Sequence, residues 1–241
     1  MILHVLGTGS SGNCYLFKPS KGKYLIIDCG INFKEVKKAV DFDVNKIGGC
    51  LQTHSHGDHS KFTIDFLNAG IDVYMSEQNQ KEIKIKNHRI RNIKPNVKFK
   101  INDFEILPFK LNHNVFCLGF LINHAESGLF VFMTDTYYSK YTFEGLNNII
   151  VEANYSKKII EQKKDNNSLG HSNYIHHFSL ENCKDMLKAN DLRQVNNIVL
   201  IHLSDSNSDE KQFVKEVTEL TYKNVCAAVN GMEIDFKKTP F

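Results

Sequence analysis

The sequence predicts an α/β protein, an αββα sandwich in which two mixed sheets pack face to face and helices cover the outer faces. Three observations point there. Strand-like apolar runs fall into two sets, helical stretches are interspersed in both halves, and no linker rich in Pro, Gly or Ser divides the chain. With 241 residues, 41% of them hydrophobic, the chain can fill one large core, so residues 1–241 are read as a single domain.

The elements follow in order. ILHVL, CYLF and YLIID have strand length and pattern, and are separated by the glycine-rich turn GTGSSGN and a second turn at PSKGK. A helix is expected over 33–39, then a strand at IGGCLQT that runs into HSHGDH. Next come a helix over 62–69, a strand IDVYMS and a helix over 78–84. FEILPFKL, FCLGFLIN and GLFVFMTD read as strands, the last two joined by a turn around 124–128. The remainder holds the strand IIVEAN, a helix LENCKDMLKAN capped by Ser179, the strand NIVLIHLS, a helix over 208–220 and the closing strands VCAAVN and EIDF.

Gly7, Gly9 and Gly12 match GxGxxG after a strand, the pattern of a dinucleotide site. Such a site needs a helix to begin at the motif, so that its N-terminus faces the pyrophosphate. NCYLF is strand-patterned instead, so the segment is read as a tight turn that can floor a site at the sheet edge.

No apolar run reaches the length of a membrane helix, about 18 residues. The opening MILHVLGTGSSG lacks the charged and long apolar regions of a secretory leader, so a cytoplasmic protein without membrane contact is expected. The six cysteines form no CxxC pair, which argues for reduced core thiols and against a thiolate zinc knuckle. A net charge of +3 is by itself too small to imply a polyanionic partner. It is unevenly spread. Residues 81–100, KEIKIKNHRIRNIKPNVKFK, hold eight Lys or Arg and one acid, Glu82, a local +7; the other 221 residues therefore sum to 3 − 7 = −4. Apolar residues alternate inside this segment, so it is read as a structured edge or loop pair, with Lys84, Lys86, Arg89 and Arg91 as candidate nucleic-acid contacts.

The strongest chemical signal is His54-Ser55-His56-Gly57-Asp58-His59. In an extended segment residues i, i+2 and i+4 project to one side, so His54, His56 and Asp58 converge, and His59, which breaks the alternation, serves a second ion. Imidazole with carboxylate and without thiolate suits zinc or manganese, and two cations about 3.5 to 4 Å apart are a recurrent device for hydrolysing phosphate esters. A solvated loop rich in histidine is the alternative; four candidate ligands in six residues directly after an apolar strand weigh against it.

HSHGDH fits the HxHxDH signature of the metallo-β-lactamase fold, and the order around it fits as well: Asp28 in LIIDCG, His113 in PFKLNH, Asp135 in FMTDT and His202 in VLIHLS. Together with LGTGSSGNCYLF, VEANY and HLSDSNSD, these make nearly the whole chain resemble the WalJ (YycJ)-type nucleases, phage-borne forms included, and more distantly tRNase Z. The resemblance implies two divalent ions, one held by His54, His56, His113 and Asp135 and the other by Asp58, His59, His202 and Asp135, with Asp28 orienting the loop from behind. Histidine at 56, where the oxygen-reducing diiron branch has glutamate, implies hydrolysis rather than redox chemistry. By likeness to tRNase Z, His177 supported by Glu152 is the proton donor and joins Asp58 in the catalytic set, with His171 the competing histidine. Tyr137 and Tyr155 are read as packing residues, with stacking on a base as the alternative.

The expected reaction is hydrolysis of a nucleic-acid phosphodiester by water activated between two metals, on DNA sooner than RNA and from an end. Clustered Lys and Arg benefit a phosphate backbone far more than a small ester. Only 22 positions separate His113 from Asp135, too few for the tRNA-gripping arm of tRNase Z, and the chain is too short for the added domain of the β-CASP nucleases. A lactonase- or thioesterase-type small-molecule hydrolase is the alternative on the same fold.

Overall fold

Strands that are apolar at every position, rather than at every second one, bury both faces, and this sets the layering of the molecule. The computed structural model describes residues 1–165 and 176–239. The first sheet contains β1 (Ile2–Gly7), β2 (Cys14–Lys18), β3 (Tyr24–Ile27), β4 (Ile47–Leu51), β5 (Val73–Met75), β6 (Ile90–Asn92) and β14 (Glu233–Asp235), in the order β14-β1-β2-β3-β4-β5-β6. The second contains β7 (Phe99–Ile101), β8 (Phe104–Leu111), β9 (Cys117–His124), β10 (Gly128–Met133), β11 (Leu146–Glu152), β12 (Asn197–Ile201) and β13 (Asn224–Ala227), in the order β13-β12-β11-β10-β9-β8-β7.

The two sheets share one pairing pattern. Pairing is antiparallel from β14 through β3 and parallel from β3 to β6; it is antiparallel from β7 to β10 and parallel from β10 to β13. Parallel neighbours need crossovers; the loop over 134–145 supplies the one from β10 to β11, and helices supply all the others. In the first half these are α1 (Phe33–Ala39), α2 (Gly57–Ser60), α3 (Thr63–Asn68) and α4 (Glu77–Ile83); in the second, α5 (Lys157–Asp165), α6 (Leu180–Ala189) and α7 (Glu210–Thr221).

Alternation then sorts side chains into three apolar layers. Leu25 and Ile27 of β3, with Ile150 of β11 and Val199 and Ile201 of β12, fill the space between the sheets, where Phe17 stacks on Phe130 at a centroid distance of 5.0 Å. Ile26 points the other way, to Phe33 and Val36 of α1 and Phe66 of α3. Ile149 and Val151 face Leu180, Cys183 and Leu187 of α6 and Phe213 and Val217 of α7. The sandwich expected from the sequence is the one observed. Ser179 caps α6 as expected, its hydroxyl accepting from Asn182 N at 3.1 Å. Helix α5 is not among the expected elements, because only Ile159 and Ile160 interrupt its polar sequence; Ile160 is buried and anchors it. The basic segment closes α4, forms the edge strand β6 of one sheet and runs into the edge strand β7 of the other.

Candidate metal centre

Strands that run in one sense deliver the site. β8 and β10 are both antiparallel to β9, and β10, β11 and β12 are parallel, so these four point the same way, as β3 and β4 do in the other sheet. Asp28 follows β3, His54 lies beyond β4, His113 beyond β8, Asp135 beyond β10, Glu152 ends β11 and His202 follows β12. Three of these residues hold left-handed backbone, with φ of 69° at Asp28, 51° at Asp135 and 55° at His202. Side chains with a Cβ rarely adopt that region, and such local strain is characteristic of functional positions.

Two groups of ligand atoms, each within 4.8 Å of one another, gather at this edge: His54 with His56 and His113, and Asp58 with His59 and His202. Asp135 lies between them, grouped with His54 and His59; its Oδ2 is 3.1 Å from His59 Nε2. On the first side, His113 Nδ1 donates to the His176 carbonyl at 3.0 Å, which leaves Nε2, 3.2 Å from His56 Nδ1, with its lone pair directed to the group. The Thr53 hydroxyl donates to Asp28 Oδ1 at 2.9 Å and stands 3.0 Å from His54 Nδ1. On the second side, His59 Nδ1 meets Asp28 Oδ2 at 2.7 Å, and His202 Nε2 meets Asp58 Oδ2 at 3.2 Å.

The extended reading of residues 54–58 is corrected. His56 is the last extended residue, and Gly57–Ser60 form a turn of helix, with His59 N donating to His56 O at 3.0 Å. Asp58 is thereby carried away from His54 and His56 and joins His59 and His202. Backbone packing holds this turn in place. A Cβ on Gly30 would lie 1.7 Å from the Asp58 carbonyl oxygen, and one on Gly12, at φ 143°, would lie 2.4 Å from the Gly30 carbonyl oxygen. The GTGSSGN turn therefore floors the site by close backbone approach.

Three buried polar residues complete the frame and carry no role in the sequence reading. Asn13 Nδ2 lies 3.0 Å from His59 Nε2 and 3.3 Å from Asp58 Oδ2. Asn154 Nδ2 lies 3.0 Å from His202 Nδ1 and donates to the His202 carbonyl at 2.7 Å. Thr53 is the third. Each stands beside a motif already conspicuous in the sequence, and a polar residue at the end of an apolar strand was the available signal.

Beside Asp135 stand Glu152 and His177. His177 Nδ1 is 2.7 Å from Glu152 Oε1 and 3.1 Å from Asp135 Oδ1, while Glu152 Oε2 accepts from Phe178 N at 3.0 Å. His171 lies outside the described residues. Lys84, Lys86, Arg89 and Arg91 lie outside the ligand groups; Arg89 and Arg91 both pair with Asp72, at 3.2 and 2.9 Å. Glu82, the single acid of the basic segment, bonds to the Ser55 hydroxyl, and Asn79 Nδ2 donates to the Thr53 carbonyl at 3.1 Å, so α4 abuts the HSHGDH loop.

The electrostatics divide the centre in two. Burial pushes His54, His56 and His113 down, with the charge of His59 adding to the effect at His54; neutral imidazole is the form that binds a cation. Around the carboxylates the balance reverses. Burial opposes charge on His177, but Glu152 and Asp135 outweigh it and push it up to about 10; Asp135, Asp58 and Glu152 likewise push His202 up to about 9. Burial also works against ionised Asp58, yet hydrogen bonds to His202 and His59 hold it well below the usual carboxylate range.

A divalent ion fits these residues. His54 Nε2 is buried without a hydrogen-bond partner, although burial of an unpaired polar atom costs about 1–3 kcal/mol, and a cation would satisfy it. The nitrogen and carboxylate donors match zinc or manganese in chemistry. The metallo-beta-lactamase superfamily matches residues 7–116. In structure, the protein YhfI from Bacillus subtilis, itself of that fold, superposes with a TM-score of 0.72 at 16% identity over 97% of this chain and 98% of its own. This chain folds as a metallo-β-lactamase domain.

Other structures with this fold include the short form of human tRNase Z, with a TM-score of 0.67 at 17% identity over 98% of this chain and 99% of that one. A diphosphatase of the PhnP family gives 0.68 at 16% over 98% of each chain. Among curated proteins, the exodeoxyribonuclease WalJ of Streptococcus pneumoniae is 25% identical over 97% of this chain and 91% of its own. The exodeoxyribonuclease YycJ of Bacillus anthracis is 27% identical over 65% of this chain; the aligned stretch spans 64% of the B. anthracis protein. The superfamily match and the candidate ligand groups indicate a metal-dependent hydrolase with a metallo-β-lactamase domain. No helix among the described residues is long and apolar enough to cross a membrane.

Asp28 offers a test of the frame behind the ligands. Asp28→Asn keeps the shape but loses the charge that orients His59 and, through Thr53, His54, so divalent-metal affinity is expected to fall about 10- to 100-fold. Competition against a chromogenic chelator reads it; wild-type affinity would mean that Asp28 serves the fold alone.

Proposed function

We propose that this metallo-β-lactamase domain is a metal-dependent phosphodiesterase acting on nucleic acid, a DNA exonuclease. The observation that carries the reading is the His177–Glu152 pair set against Asp135. Departure of a nucleotide oxygen needs a proton, and a histidine held through Nδ1 by two carboxylates keeps Nε2 for that transfer. The WalJ and YycJ likenesses support DNA as the polymer. Two divalent cations, zinc or manganese, held by His54, His56, His113 and Asp135 and by Asp58, His59, His202 and Asp135, would supply an activated water and polarise the phosphoryl oxygen. Asp58 fixes the position of His202, Asp28 holds His59, and Glu152 sets the ring of His177.

Purified protein loaded with zinc or manganese, tested on labelled single- and double-stranded DNA, on RNA and on a lactone panel, decides the matter. Metal-dependent DNA cleavage is expected; turnover of an ester with every nucleic acid intact would overturn the proposal and favour a small-molecule hydrolase. The basic segment makes a separate prediction. Replacing Lys84, Lys86, Arg89 and Arg91 by alanine weakens DNA binding and flattens the plot of log affinity against log salt by about 2. The lysines contribute the larger share because Asp72 already pairs both arginines. An unchanged slope removes the segment from the interface.

A further inference from the structure

The loop that leaves Asp135 carries four aromatic residues within 137–143, and they divide into two kinds. Tyr141 and Phe143 pack on Phe109 at centroid distances of 4.9 and 5.3 Å, and Phe143 N donates to Asn190 Oδ1 at 2.6 Å, which pins the far end of the loop. The near end is pinned as well. Thr136 N donates to Glu152 Oε2 at 3.3 Å, Tyr137 N donates to the Asn112 carbonyl at 2.8 Å, and the Tyr137 carbonyl accepts from Asn182 Nδ2 at 2.8 Å. Between these anchors Tyr137 is 49% exposed and Tyr138 58%. Tyr137, read as a packing residue, is thus at most packed along an edge, and its half-open side chain leaves the stacking alternative available. Tyr155, by contrast, is 4% exposed and packs as expected.

We propose that Tyr137 and Tyr138 form a stacking platform for unpaired bases, so that a single-stranded end is what the centre takes. The inference rests on the nucleic-acid reading above. Covalent geometry keeps the Cα of Tyr137 within about 7.6 Å of that of Asp135, and that of Tyr138 within about 11.4 Å, so bases flanking a phosphate at Asp135 come within reach of both rings. A base inside a duplex already has both faces covered by its neighbours, whereas an unpaired base offers a face to an aromatic side chain whatever its identity. Exposed Lys140, in the same loop, adds a cation for the strand's backbone. Anchoring at both ends means that little order is lost when a base lands there.

The experiment uses the manganese-loaded protein and three labelled DNA substrates of one sequence: a single strand, a blunt duplex, and a single strand whose terminal nucleotides are abasic. Wild type is expected to favour the intact single strand over both others by about 10-fold or more in kcat/KM, chiefly through KM. Tyr137→Ala/Tyr138→Ala should narrow the preference over the abasic strand to less than about 3-fold, and Tyr137→Phe/Tyr138→Phe should restore it, since phenylalanine keeps the stacking face. Equal cleavage of duplex and single strand by wild type overturns the inference alone. So does an alanine variant that still discriminates as wild type does, or a phenylalanine variant that fails as the alanine one does. Wild type that leaves all three DNAs intact overturns the DNA reading beneath it.

Discussion

Asp135→Asn hydrolyses its substrate at least about 10³-fold more slowly than wild type and retains less divalent metal per chain. Asp135 reaches both halves of the centre: it stands 3.1 Å from His59 Nε2 and belongs with His54 and His59 among the ligand groups. Burial works against its charge, yet His202 and His59 hold it well below the usual carboxylate range, so the anion persists where two cations would sit. Asparagine keeps the volume and an acceptor for the Thr134 hydroxyl, which now donates to Asp135 Oδ2 at 2.6 Å, and removes only the charge. Metal content by mass spectrometry, with circular dichroism to confirm the fold, separates the outcomes. Wild-type metal content and rate in this variant would place the metals elsewhere.

His177→Ala slows cleavage by about 10²- to 10⁴-fold while metal content stays at the wild-type level. The expectation follows from position: the His177 ring is tied to Glu152 and Asp135 and stacks on His202 at a centroid distance of 5.2 Å. The role proposed for it, protonating the departing oxygen, has a specific signature. With a nitrophenyl ester of a nucleotide, whose leaving group departs without a proton, the deficit should shrink to less than about 10-fold. Loss of metal would instead make His177 a ligand, since it also groups with Asp135, Glu152 and His202. A deficit equal on both substrates would make it a residue that orients Asp135.

Much of this centre was legible because its residues stand next to each other in sequence or at the ends of apolar strands. HSHGDH, Asp135 and His202 were visible that way, and a carboxylate or imidazole at such a place is conspicuous. The strand pattern also carried the layering, since runs apolar at every position, such as IIV at 149–151 and IVLI at 198–201, bury both faces. What escaped were residues whose meaning depends on partners far along the chain. Asn13 meets Asp58 and His59 across 45 and 46 positions, and Asn154 meets His202 across 48. The direction of Asp58 was misread because alternation presumes that extended backbone continues past His56, whereas close packing against Gly30 favours a helical turn.

The sequence by itself determined the sandwich, the order of its strands along the chain, the histidine- and aspartate-rich loop and the concentration of basic charge in 81–100. These follow from local periodicity and residue chemistry, which adjacent residues carry among themselves. Only the tertiary structure decided that Gly57–Ser60 form a turn of helix, that Asp72 pairs Arg89 and Arg91, and that Tyr137 and Tyr138 face water while Tyr141 and Phe143 pack. Those are distances and exposures between segments that meet only when two sheets close on a common core, and no period in the chain encodes them.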